Sequence, residues 1–148
     1  MTCKIHVLCD SVGHPLHFEL TPGQTHEAAA FDTVLAGADA SLFGASGEPI
    51  AWPVALAADK GYRADWIDEY LLSLEITPVI PSKINEDPNA RPVAFDKDKY
   101  RDRNIVERLI GWLKEYRRVF SRYEKTAKNF AGMIRLAFIQ RCLRLATR

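Results

Sequence analysis

YRDRNIVERLIGWLKEYRR, residues 100–118, reads as a helix with two faces. At about 100° per residue, Ile105, Leu109, Trp112, Leu113, Tyr116, Val119 and Phe120 fall into one apolar stripe. Tyr100, Arg103, Glu107, Lys114 and Arg118 fall roughly opposite, with Gly111 beside them leaving room over Glu107. The pattern predicts burial on one side and, on the other, a single carboxylate on a basic, partly aromatic face. One hard oxygen ligand among cations is what a metal ion and a phosphate backbone would need. The same spacing also suits a solvated helix face on which Arg103 and Glu107 form an ordinary i,i+4 ion pair.

The flanking chain predicts an α/β fold. Residues 126–147 continue at helical period, with Phe130, Ile134, Phe138, Cys142 and Leu145 toward the core and Lys128, Arg135, Arg141 and Arg144 elsewhere. Residues 82–99 are polar, hold Pro88 and Pro92, and read as an extended loop. Ahead of them, 62–74 reads as a helix and Thr77–Ile80 as a short strand closed by Pro81. Val54–Ala58 is wholly apolar, as expected of a strand buried on both faces, and Asp59 follows at its carboxyl end before a Lys60-Gly61 turn. Ligands in open sheets favour that end of a strand, although an Asp there also suits helix capping. Glu27–Leu35 reads as a short helix and Gly37–Pro53 as a surface loop. Lys4–Asp10 and Pro15–Leu20 read as two antiparallel strands joined by a hairpin at residues 11–14.

Composition narrows the classes. The 148 residues are 47% hydrophobic and 26% charged, enough for one domain or part of one with a real core. No apolar run reaches the eighteen or so residues of a membrane span, and no signal peptide opens the chain. Cys3, Cys9 and Cys142 are odd in number and lack metal-ligand spacing, which points to reduced thiols. His6, His14, His17 and His26 fit no zinc pattern and read as sheet-surface or loop residues. No Walker A, dinucleotide-binding or nucleophile-elbow motif is present. Residues 1–96 hold 5 Lys/Arg and 14 Asp/Glu, a net −9; residues 97–148 hold 15 and 5, a net +10. The basic end points toward a polyanion or an acidic partner surface.

Tyr100, Arg103, Glu107 and Lys114, at gaps of two, three and six intervening residues, resemble the Tyr-Arg-Glu-Lys signature of insertion-sequence DDE transposases. LAADKGY, Leu56–Tyr62, is similar to the block carrying that family's second catalytic Asp, and residues 4–27 are similar to the strands and loop ahead of it. The likeness is greatest to the group named for insertion sequence five, within the IS-four-like superfamily. It implies an RNase H-like mixed sheet with helices, and Asp59 and Glu107 as the second and third catalytic acids and metal ligands. It further implies Mg²⁺ or Mn²⁺ as cofactor, and Tyr100, Arg103 and Lys114 as DNA contacts; Arg118, which helical period places on the Glu107 face, is expected to contact phosphates with them. The implied activity is metal-dependent phosphodiester cleavage and strand transfer at element ends, with double-stranded DNA and a homo-oligomer of a synaptic complex as partners. No membrane is implied, and the implied location is a bacterial cytoplasm, at the nucleoid.

The family's first strand and first acid lie upstream of the segment resembling Lys4–Asp10. The reading therefore expects residues 1–148 to be a partial catalytic domain without that strand or the DNA-binding region. Activity would then need an upstream segment supplied by frameshift or fusion, with an inactive remnant that binds DNA or a full-length partner as the alternative. Asp10, entering the hairpin, is expected to be a turn residue rather than a substitute acid.

Overall fold

The computed structural model describes residues 2–122 and 124–147, which form two compact units of mixed α/β structure. Residues 1–23 and 104–148 build one, and the intervening residues 24–103 build the other.

The first unit begins with β1 (Cys3–Cys9) and β2 (Pro15–Pro22), antiparallel, with Ile5 opposite Leu20 and Val7 opposite Phe18. Asp10 makes the turn: its carboxylate accepts from the N–H groups of Val12 and His14 at 3.0 and 2.8 Å, and lies 2.6 Å from His14 Nδ1. Burial alone would raise the Asp10 carboxyl. The hydrogen bonds from the His14 side chain and from the His14 and Val12 backbone outweigh it and hold the group below its ordinary value. Asp10 is thus a turn residue, as its place in the hairpin predicts. Gly13, at φ +90, completes the turn in a conformation that favours glycine.

Strand alternation brings Cys3, Ile5, Val7, Cys9, Phe18 and Leu20 onto a core of Leu109, Leu113, Val119, Phe130, Ile134, Ala137 and Phe138. Phe18 meets Phe138 edge-on, with ring centroids 5.6 Å apart. Full burial of a side chain such as Leu113 or Ile134 contributes about 1.5–3 kcal/mol. His6, on the other strand face, departs from its expected surface position. It is buried and hydrogen-bonded to the Thr21 hydroxyl at 2.8 Å, which offsets the cost of burying an imidazole.

The helix expected to run unbroken to Phe120 is instead three pieces: α3 (Lys97–Arg101), α4 (Asn104–Lys114) and α5 (Arg117–Phe120). At each break the backbone tightens to i→i−3 bonds, Arg103 N–H to Tyr100 O and Tyr116 N–H to Leu113 O. Asp102, Tyr116, Val119 and Phe120 are weak helix formers, so little opposes the breaks. The second break leaves Val119 buried but turns Phe120, expected in the apolar stripe, 71% into solvent. After it, α6 (Ala127–Ala146) starts at Thr126, whose hydroxyl accepts from Asn129 N–H. Phe130, Ile134 and Phe138 are buried as expected. The Arg141 guanidinium lies 5.4 Å over the Trp112 ring.

In the second unit, α1 (Glu27–Ser41) runs past Gly37, where a loop was expected to begin. Its many alanines favour the helix strongly enough to carry it through a glycine. Ala30, Phe31, Val34, Leu35 and Ala38 form its buried stripe. β3 (Ala55–Ala57) pairs in parallel with β4 (Thr77–Val79). Between them α2 (Asp65–Ser73) buries Ile67 and Leu71. It ends in a Schellman turn, with Glu75 left-handed at φ 60 and Ile76 N–H bonded to Leu71 O at 2.9 Å. Val54–Ala58 is not buried on both faces; Leu56 is buried, whereas Val54 is 81% exposed. Among the described residues the strands make two two-stranded sheets, β1–β2 and β3–β4. Among the described residues, no helix is long and apolar enough to cross a membrane.

Candidate active site

Asp59 leaves the carboxyl end of β3 and caps a single 3₁₀ turn, Lys60–Tyr62. Its Oδ1 accepts from Gly61 N–H at 3.0 Å, while the side chain as a whole stays 58% exposed. Capping and a cleft position are therefore compatible, since the cap occupies one oxygen and leaves Oδ2 directed elsewhere. That second oxygen lies 3.7 Å from Arg103 Nη1. Gly61 packs closely on Glu27: a Cβ there would come within 3.0–3.1 Å of the Glu27 side chain, which would have to shift by a few tenths of an ångström. Glu27 was not anticipated from sequence; its helix start simply lands against the turn. The half-buried Tyr62 phenol has its pKa pushed up to about 12, first by burial and then by the charges of Glu27 and Asp59.

Tyr100 and Arg103 belong to the same unit as Asp59. Asp96 caps α3 by accepting from Asp98 and Lys99 N–H at 3.1 and 3.0 Å. Phe95 packs on Tyr100 at 5.2 Å, and Arg103 lies 5.1 Å over the Tyr100 ring. A path of ring, ring, guanidinium and carboxylate thus runs Phe95–Tyr100–Arg103–Asp59. Arg103 is only 18% exposed along its side chain, less than a solvated face would leave it.

Glu107, Lys114 and Arg118 belong to the other unit. Glu107 is exposed in the first turn of α4 and Lys114 in its last. Arg118, in α5, is 65% exposed and lies 3.4 Å from Glu124. The six predicted residues therefore divide evenly, three to each unit. Charge divides too: residues 1–23 and 104–148 hold 12 Lys/Arg against 5 Asp/Glu, a net +7, whereas residues 24–103 hold 8 against 14, a net −6.

A buried ionic cluster begins at Arg63, four residues after Asp59, and no pattern in the sequence announces it as a whole. Arg63, Asp68 and Arg91 have side chains only 2%, 1% and 3% exposed. Asp68 sits next to Ile67 and three residues before Leu71, on the buried side of α2; an acid in that stripe is the signal that points to it. No resolved feature of the sequence names its arginine partners, which come from turns before and after the helix.

Asp59 and Glu107 each suit a hard divalent cation as a single oxygen ligand. Among the described residues, no group of three or more His, Cys, Asp or Glu side chains comes together that could hold a metal ion by itself.

Residues 1–140 match the family model described as "Transposase DDE domain". A protein of Brucella ovis, "Putative transposase for insertion sequence element IS6501", is 32% identical over 138 residues, which cover 93% of this chain and 95% of that one. A protein of Burkholderia cepacia, "Putative transposase for insertion sequence element IS402", is 29% identical over 133 residues, covering 90% of this chain and 59% of that one. No solved structure matches the chain.

Proposed function

The chain belongs to the DDE transposase domain family, and from that premise we propose that it acts in DNA transposition, cutting and joining DNA at insertion-sequence ends with Asp59 and Glu107 as catalytic carboxylates. The observation that carries this reading is Asp59 itself: a largely exposed carboxylate at the carboxyl end of a parallel strand, with a signature arginine 3.7 Å away. The parallel β3–β4 pair with an acid at its end is in keeping with the RNase H-like sheet that this chemistry uses. DDE transposases generally depend on divalent metal ions. A bound Mg²⁺ or Mn²⁺ would polarise phosphate oxygens and lower the pKa of the attacking hydroxyl or water.

The protein's own part is to present oxygens and cations. The Asp59 cap on Gly61 N–H fixes the carboxylate's rotamer, so that its second oxygen has a defined direction. Lys114 and Arg118, exposed on the net-positive unit, would contact phosphates and so contribute affinity without reading sequence. Cleavage of a DNA duplex bearing the element ends, with Mg²⁺ or Mn²⁺, tests the proposal. Asp59→Asn and Glu107→Gln should each lower the rate about a hundredfold or more while leaving DNA binding intact. Undiminished cleavage in either variant would remove that residue from the chemistry. The charge division favours a second reading, in which the chain binds DNA without cutting it; wild-type binding with no cleavage under any metal would select it.

A further inference from the structure

We propose that Arg63, Asp68, Glu86 and Arg91 form a buried latch that positions Tyr100 and Arg103 against Asp59. This deepens the transposase reading and rests on it, since it takes Asp59 as a catalytic carboxylate. The segment after β4 has little of its own to fix its path. Residues 83–85 and 87–90 are exposed, and its regular structure is one 3₁₀ turn, Pro88–Ala90. Yet it leads directly into α3 and Arg103.

Its fixed points are ionic. Arg63, four residues after Asp59, donates from Nε to Glu86 Oε2 at 3.0 Å and from Nη2 to the other Glu86 oxygen. The same Nη2 donates to Asp65 at 2.6 Å, and Nη1 lies 3.5 Å from Asp68. Arg91 grips both Asp68 oxygens through Nε and Nη2 at 2.8–3.0 Å, and its Nη1 donates to the carbonyl of Ile80 at the end of β4. Glu86 therefore ties the start of the segment to the turn that follows Asp59, and Arg91 ties its end to α2. Five residues later Asp96 caps α3.

Stability alone does not call for such a cluster, because well-packed apolar side chains of similar volume serve as well as buried ions. What a guanidinium fork on a carboxylate adds is direction, since it accepts one planar geometry. Two forks at the two ends of a six-residue stretch, 86–91, fix where the chain sets out toward α3, which carries Tyr100 and leads to Arg103. These four residues touch no reacting atoms; they are positioning residues.

Hydrogen exchange on the full chain, followed by DNA cleavage, tests the latch. In Arg91→Met and in the milder Glu86→Gln, amides of residues 97–103 should exchange about tenfold faster or more, while those of Ile67–Leu71 and α6 keep their protection. Cleavage should lose kcat with KM little changed, and Arg91→Lys should restore part of the loss. In an Arg103→Gln background, Arg91→Met should add almost nothing, because its effect passes through Arg103. Unchanged exchange at 97–103 in a folded variant would overturn the proposal, and so would full additivity with Arg103→Gln. If Arg91→Met loses α2 protection as well, Glu86→Gln decides. If the wild-type chain by itself cuts no DNA, exchange at 97–103 still decides the latch.

Discussion

The Tyr62 phenol stands close to two carboxylates, Glu27 and Asp59, and is itself half-buried, which together push its pKa from 10.0 up to about 12. Burial is the largest cause, and both charges disfavour the phenolate further. The folded state therefore holds this proton more tightly than the unfolded chain does. Its contribution to stability is complete below about pH 10 and is lost as pH rises through about 12. Ultraviolet titration should show one of the five tyrosines ionising near the top of that range. Asp59→Asn should bring that transition down by a fraction of the whole shift, because the burial and Glu27 causes remain. No movement on Asp59→Asn would mean that the carboxylate is farther from the phenol than its place on the turn requires.

Helix α4 carries Glu107 in its first turn and Gly111 one turn later, and a Cβ added at 111 would meet nothing within 4 Å. Gly111→Ala should thus stabilise the protein by about 0.5–1 kcal/mol in thermal or denaturant unfolding. If the open space over Glu107 serves a phosphate, the same variant should cut DNA more slowly while melting higher. The buried stripe Leu109, Leu113 and Val119 was legible because period 3.6 survives in the side chains even across a break. The break itself was not, since one i→i−3 turn shifts the phase too little to disturb a pattern of large apolar residues. Asp59 was legible from the apolar run before it and the Lys-Gly turn after it. Arg103 was legible on the basic face and in the signature but not as the partner of Asp59, and the Arg63–Asp68–Arg91 cluster was not legible at all. Pairings across 23 residues between a turn, a helix and a polar loop leave no local period.

At the scale of the chain, residues 24–103 are contiguous and hold their own core of Phe31, Leu35, Leu56, Ile67, Leu71, Ile76 and Ile80. Expressed alone, they should give a cooperative melt and keep α2 amides protected, whereas residues 1–23 alone should show no stable hairpin, since two strands without a covering layer are marginal in water. A non-cooperative melt of the 24–103 fragment would show that its ionic cluster and core do not suffice. The other unit is assembled from both ends of the chain, and that has a bearing on its birth. During synthesis Ile5, Val7, Phe18 and Leu20 leave the ribosome some 80 residues before the helices that cover them. At about 5–20 residues per second, the hairpin waits roughly 4–16 s with its apolar face and both strand edges open. The intervening unit can fold within that wait, so the last helices to be made close a protein whose middle is already finished.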